Sequence, residues 1–258
     1  MCLILFAWNC HPEYRLVLAA NRDEFHRRPT APATWWTDPP GILAGRDLVG
    51  GGTWCGIDRR GRWAAVTNFR DFRDRDRHRS DAPSRGLLVR DFLSSGREPS
   101  AWVQTLAPVA RHYHAFNLLA GNRDQIAWCG SRGGAAMVLT PGIHGLSNAL
   151  LDTPWPKVNS GKAALAELVQ ENRVTPESLF TLLADRTPAA DADLPDTGVG
   201  LAWERLLSSR FICSSDYGTR ASTLVLITVS GAVEFFERSF NAGGVCQGEV
   251  QERFQLRP

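Results

Sequence analysis

Cys2-Leu3-Ile4-Leu5-Phe6-Ala7-Trp8, a turn over residues 9–13, and Arg15-Leu16-Val17-Leu18-Ala19-Ala20-Asn21 form the stretch that decides the fold class. Two uninterrupted β-prone runs flank five residues of turn chemistry, the pattern of a strand pair at the start of a sheet. A second hairpin is expected over 53–57 and 63–69, around a turn at 58–61. Between the two pairs, residues 29–53 are rich in Pro, Gly and Trp and read as a long loop with short extended pieces. The run 70–79 is almost entirely charged and reads as an exposed loop.

Helical spacing of apolar residues appears over 84–95 and 100–111, divided by Gly96 and Pro99. Four short β-like runs follow at 115–120, 125–129, 136–140 and 143–147. Two better helices come next, one over 162–170 and one starting at Pro176 with Thr175 as its cap. Residues 185–199 read as a linker or surface loop, and the chain ends in strands over 222–228, 233–240 and 249–256. This order lacks the β-α alternation of a doubly wound parallel sheet. It suits an α+β domain of antiparallel sheets packed face to face with helices outside. A single-sheet α+β domain is the alternative.

The 258 residues, 43% of them apolar, can bury a full core and are expected to form one domain over 1–258. A net charge of +2 lends no support to nucleic acid as a partner. The apolar stretch Leu3 to Trp8 is too short to cross a bilayer and lacks the charged start of a secretory signal. Nothing later approaches the run of about 18 apolar residues a membrane helix needs. Cys2, Cys10, Cys55, Cys129, Cys213 and Cys246 are scattered without a Cys-x-x-Cys pair. That argues against a disulfide framework and a structural zinc site, and for a reducing cytoplasm.

Cys2 stands apart from the other thiols by position. Aminopeptidases remove an initiator Met that precedes a small residue, which would leave an α-amine and a thiol on one residue. The amine, with a pKa of about 7.7–8.0, can act as a general base at neutral pH. The thiol, near about 8.5, is the nucleophile beside it. Position alone equally suits a small apolar residue opening a buried strand. If the first two strands pair, however, Asn21, Arg22 and Asp23 are carried to the Cys2 end. Alternation then sets Asn21 and Asp23 on one face and Arg22 on the other.

Asn21-Arg22-Asp23-Glu24 follows Leu18-Ala19-Ala20, and further motifs accompany it: Gly51-Gly52-Thr53-Trp54-Cys55-Gly56, Thr67-Asn68-Phe69-Arg70, Gly145-Leu146-Ser147-Asn148, Pro154-Trp155-Pro156-Lys157-Val158 and Tyr217-Gly218-Thr219-Arg220-Ala221-Ser222-Thr223. With the Met1-Cys2 start, these resemble the NRDE family, also called the transport and Golgi organisation family, from Met1 to around Phe240. That family in turn is similar to N-terminal nucleophile hydrolases of the choloylglycine hydrolase and penicillin V acylase type. The resemblance implies a four-layer αββα sandwich and Cys2 as nucleophile. It implies Asn21 and Asp23 at the α-amine, Asn68 and Asn148 at the oxyanion, and Arg220 in support. Arg22, Glu24, Trp54 and Arg70, carried by the same motifs, are the expected ligand contacts.

One departure bears on the chemistry. Those hydrolases carry an arginine immediately before the Asn-x-Asp, beside the thiol, where this chain has Ala20. Its loss would remove a cation that favours thiolate.

The resemblance further implies links to haem mobilisation and to acyl-CoA or lipid homeostasis. The expected ligand is therefore an acyl amide, an acyl-CoA or haem, with haem as a carried ligand and no cofactor required. The charged run with His78 could hold coenzyme A phosphates or haem propionates, although its alternating Arg and Asp suit a self-neutralising solvated loop. His112-x-His114 has the spacing of two ligands on one strand face but no third ligand nearby, so no metal is expected. For haem, no Cys-x-x-Cys-His motif exists, and Cys10-His11 and His144 are the conceivable axial residues.

Overall fold

The computed structural model describes residues 2–74 and 82–256. Met1, whose removal the α-amine chemistry requires, lies outside the described residues. So do residues 75–79 of the charged run, His78 included.

The chain runs β1 (Cys2–Trp8), β2 (Tyr14–Phe25), β3 (Thr30–Thr37), β4 (Pro40–Asp47), β5 (Cys55–Asp58) and β6 (Trp63–Asn68) before its first helices, α1 (Gly86–Ser95) and α2 (Pro99–Leu106). Four strands follow: β7 (Phe116–Gly121), β8 (Ile126–Gly130), β9 (Gly133–Val138) and β10 (Gly142–Leu146). Then come α3 (Pro156–Gln170), α4 (Pro176–Leu183), α5 (Leu201–Leu206), β11 (Tyr217–Thr228), β12 (Ala232–Phe240) and β13 (Cys246–Gln255). A six-stranded sheet has the order β10-β1-β2-β11-β12-β13, and a seven-stranded sheet runs β3 to β9 in chain order. The paired strands described in both sheets are antiparallel.

Three apolar clusters define the layers. Ile4, Phe6, Trp8, Leu16 and Leu18 of the six-stranded sheet meet Leu43, Ile57, Trp63 and Leu119 of the other. The alternate residues Leu3, Leu5, Ala7, Val17 and Ala19 pack beneath Val158, Leu165 and Leu168 of α3 and Leu179 and Leu183 of α4. On the far side, Ala64, Val66, Leu118 and Ala120 pack under Leu88, Phe92 and Val103 of α1 and α2. This is the four-layer αββα sandwich, and the single-sheet alternative is set aside. β1 and β2 read as continuous apolar runs because both of their faces are covered.

Two expectations are corrected. Residues 29–53 are mostly paired: β3 and β4 are eight-residue strands. β3 is the edge of its sheet and its register breaks between Ala31 and Thr34, so Pro32 occupies a strand without disturbing a ladder on both sides. Helix α5 went unread because six residues make less than two turns and no side chain caps it. α3 begins six residues before the expected 162, β11 five before the expected 222, and α2 ends at Leu106 rather than 111; elsewhere the boundaries move by a few residues. The Thr175 cap is a reciprocal capping box with Ser178.

Candidate functional site

The site is built at the end of β1 and β2. In their register Cys2 lies opposite Arg22 and Leu3 opposite Asn21. Directly opposed residues share a face, so Cys2 and Arg22 point between the two sheets while Asn21 and Asp23 point to the helix layer. The arginine expected to be missing beside the thiol is therefore present. Arg22 stands two residues beyond Ala20 on the same face of the same strand, opposite Cys2. Arg22 is held there by Thr30 Oγ1 at 3.2 Å, by Asp47 at 3.9 Å, and by stacking 4.5 Å over the Trp54 ring.

The half-buried Cys2 opens on a cleft of about 460 Å³ whose walls include Arg22, Asp23, Glu24, Arg28, Thr53, Trp54, Asn68, Arg85 and His114. A second hollow of about 400 Å³ shares Glu24, Asn68 and Arg85 with it, and is otherwise walled by Phe25, Phe72, Val199, Trp203 and Tyr217. The cleft at the thiol is thus polar and rich in arginine, and the hollow that adjoins it through Glu24, Asn68 and Arg85 is aromatic. The β4–β5 loop lines the cleft through Val49, Gly50 and Thr53, and at Gly52 between them a Cβ would sit 2.2 Å from the backbone of Gly86. That contact lets the loop seat on the start of α1.

Asp23 is almost fully buried. Thr219 Oγ1 donates to its Oδ1 at 2.8 Å, and Tyr217 Oη donates to its carbonyl at 3.0 Å, so the Tyr217-Gly218-Thr219 segment of β11 fixes it. Burial raises the Asp23 carboxyl, and Lys157, Thr219 and Arg22 pull it back down. Burial likewise raises the Cys2 thiol. The Asp23 carboxylate adds to that rise, while Arg22 and the Asp23 N–H oppose it.

The two asparagines do different work. Asn148 is fully buried, and its Nδ2 donates to both Asn68 O at 3.0 Å and Asn68 Oδ1 at 2.9 Å. With its Oδ1 so engaged, Asn68 keeps its amide N–H groups for the cleft it lines. The same corner ties the two sheets together: Thr67 donates to Ser147 O at 2.6 Å, and Ser147 Oγ donates to Cys2 O at 3.0 Å.

Four expected site residues are not brought to the cleft: Asn148, expected at the oxyanion, is fully buried behind Asn68, and Asn21, Arg220 and Arg70 are turned elsewhere. Asn21 faces the helices, donates to Leu183 O and Arg210 O at 3.0 and 2.8 Å, and accepts from Ser222 at 2.6 Å. Arg220 sits at a β-bulge between Thr219 and Ala221, and a bulge re-aims its side chain. Its Nη1 donates to the carbonyls of Phe25, His26 and Arg28, holding the turn that carries Arg28. Arg70 is buried in an ion pair with Glu204 at 2.8 Å and stacks 4.5 Å over Trp155, so it braces α5 rather than facing a ligand.

Conversely, Arg28 and Arg85 line the cleft although no motif or spacing in the sequence sets them apart as site residues.

These features define a class: a four-layer αββα protein whose cleft opens on a strand-initial cysteine with an arginine opposite and a buried aspartate behind. The chain belongs to the Transport and Golgi organisation 2 family, whose profile matches residues 1–242. It is similar to the Transport and Golgi organization 2 homolog of Mus musculus, 37% identical over 260 residues and 93% of each chain. The Homo sapiens homolog is likewise 37% identical over 93% of each chain. The Drosophila melanogaster Transport and Golgi organization protein 2 is 26% identical over 93% of this chain and 92% of its own length. Among solved structures, a Caenorhabditis elegans N-acylethanolamine-hydrolyzing acid amidase ortholog matches with a TM-score of 0.49 and 9% identity, over 87% of this chain and 92% of that one. Among the described residues no helix is long and apolar enough to cross a membrane.

Proposed function

We propose that the protein hydrolyses an acyl amide or acyl thioester of a small or lipid-like compound, with Cys2 as nucleophile. The observation that carries the reading is the fixed pairing of Asn148 with Asn68, which leaves an amide donor in the cleft that Cys2 also lines. After loss of Met1, the Cys2 α-amine takes the thiol proton as Sγ bonds to the substrate carbonyl carbon. Negative charge that develops on the carbonyl oxygen is met by the Asn68 amide. The C–N or C–S bond then breaks, and the proton passes from the amine to the leaving amine or thiol. Water attacks the thioester of Cys2 by the same route in reverse and releases the acid. Arg22 holds counter-charge beside Sγ, and Asp23 orients the amine from behind. The raised thiol suits this scheme, in which the base removes the proton during attack and no resting thiolate is needed.

A second reading has its own support in the aromatic hollow of Phe25, Phe72, Trp203 and Tyr217, which suits the apolar body of haem or of an acyl chain. There the protein carries an acyl-CoA or haem in trafficking or lipid homeostasis, and the arginines hold its anionic end. One set of measurements separates the two. Intact mass reports whether Met1 is absent, and acyl-amide and acyl-CoA panels then report product formation. Products that vanish in Cys2→Ser and Cys2→Ala support the hydrolase. A retained Met1 refutes the α-amine mechanism, and inert proteins with a saturable Soret shift on haem titration favour the carrier.

A further inference from the structure

We propose that the aromatic hollow beside the cleft is a site for a carboxylic acid with an apolar body, whose acid group is held by Arg85. The hollow, of about 400 Å³, is walled by Phe25, Phe72, Val199, Trp203 and Tyr217. Tyr217 stands at its centre, with the Phe25 ring edge-on at 5.1 Å and the Trp203 ring edge-on at 5.7 Å. Phe25, Phe72 and Trp203 are 38, 40 and 37% exposed. Large aromatic side chains left open to solvent around one concavity mark a binding surface, which apolar residues scattered singly do not.

The polar end of the hollow lies on one side. Its remaining walls are Glu24, Asn68 and Arg85, the residues it shares with the cleft that Cys2 lines. An amphipathic ligand seated among the rings therefore turns its polar end to this seam, and the charge available there selects that end. Glu24 is engaged: Phe25 N donates to its Oε1 at 2.8 Å, and Arg28 Nε lies 4.0 Å from its Oε2. Arg28 is engaged in turn, with Nε and Nη2 each 2.9 Å from Asp47 Oδ2, and Arg22 reaches the same oxygen at 3.9 Å. Arg85 differs from both. Among the described residues it pairs with no acid, and its one hydrogen bond runs from Nη1 to Ala115 O at 3.2 Å. The rest of its planar fork of donors has no acceptor among the described residues, and such a fork fits a carboxylate bidentately.

The seam also sets the direction of an acyl substrate. Asn68, the donor for the carbonyl oxygen, shares the seam with Arg85, so the acyl half occupies the aromatic hollow and the amine or thiol half the polar cleft. The acid released from the Cys2 thioester then carries its carboxylate at Arg85 and its apolar body among the rings. In coenzyme A the phosphates lie many bonds from the thioester, so the seam suits a carboxylate at the acyl carbon itself and not a distant phosphate. The source of the acid rests on the hydrolase reading, but the test of the site needs no turnover.

The test is isothermal titration calorimetry of the full chain carrying Cys2→Ala, with decanoate, decanol, decylamine and decanoyl-CoA as probes. Decanoate should bind at least about tenfold tighter than decanol, and decylamine should bind most weakly. In R85M the preference for decanoate over decanol should fall by about tenfold, while decanol binding stays within about twofold. R85Q, which can still donate to Ala115 O, should behave as R85M does, which separates the lost charge from a disturbed loop and serves alone should R85M fail to fold. W203A should weaken decanoate and decanol alike. Equal affinity for decanoate and decanol, a preference that survives in R85M and R85Q, or tightest binding of decylamine overturns the proposal. Decanoyl-CoA that binds tighter than decanoate, and equally well to R85M, places the anion on another arginine and overturns it too. A wild-type chain that turns over no acyl compound, with decanoate bound through Arg85, keeps this site and removes the hydrolase; an active chain indifferent to the carboxylate does the reverse.

Discussion

Glu237 offers a quantitative test of how the two sheets are joined beneath the cleft. It lies on β12 opposite Thr223, is 1% exposed, and crosses to the other sheet to accept from Ala33 N at 2.7 Å. Thr223 Oγ1 donates to its second oxygen at 3.3 Å. Burial pushes the carboxyl from 4.5 to about 7, against the downward pull of Ala33, Thr223 and Arg22. An acid whose pKa is raised on folding binds its proton more tightly in the native state. Its contribution is therefore fully present below 4.5 and is lost as pH rises through about 7. At about 1.4 kcal/mol per unit, the loss across that window is about 3 kcal/mol. Glu237→Gln keeps an oxygen for Ala33 and cannot ionise. Urea unfolding of both proteins from pH 5 to 8 should show E237Q relatively less stable at the acid end and gaining on the wild type as pH rises. Parallel stability curves would refute the reasoning, because the carboxyl would then titrate alike in folded and unfolded chains.

Two further outcomes follow from the site. Arg70→Met should destabilise by about 3–5 kcal/mol, since it strands Glu204 in the interior; the double variant R70M/E204L should recover part of that loss in chemical denaturation. Asn148→Ala should slow acyl transfer about 10- to 100-fold by freeing the Asn68 amide to turn, while Cys2 alkylation stays near wild type. Asn68→Ala should cost at least as much, and adding N148A to it should cost little more in single-turnover assays.

Much of the architecture was legible in the chain. Unbroken apolar runs at Leu3–Trp8 and Leu16–Ala20, joined by a short polar turn, announce an antiparallel pair. The capping box at Thr175 marks its helix start because its signal is local. Strand β3 is hidden in the sequence because Pro32 argues against pairing everywhere except at an edge, and only the assembled sheet says which strand is the edge.

The sequence by itself determined that Cys2, Arg22 and Asp23 meet at one strand end, because pairing register and the two-residue alternation of a strand are local consequences of the chain. It did not determine what each side chain does there. Only the tertiary structure decided that Arg22 stacks on Trp54 beside Asp47, and that Asn148 serves Asn68. It likewise turned Arg220, Arg70 and Asn21 away from the cleft. The physical reason is distance along the chain. Asn148 and Asn68 are joined by packing between layers, and no local propensity encodes which layer a polar group will face once both sides of a sheet are covered.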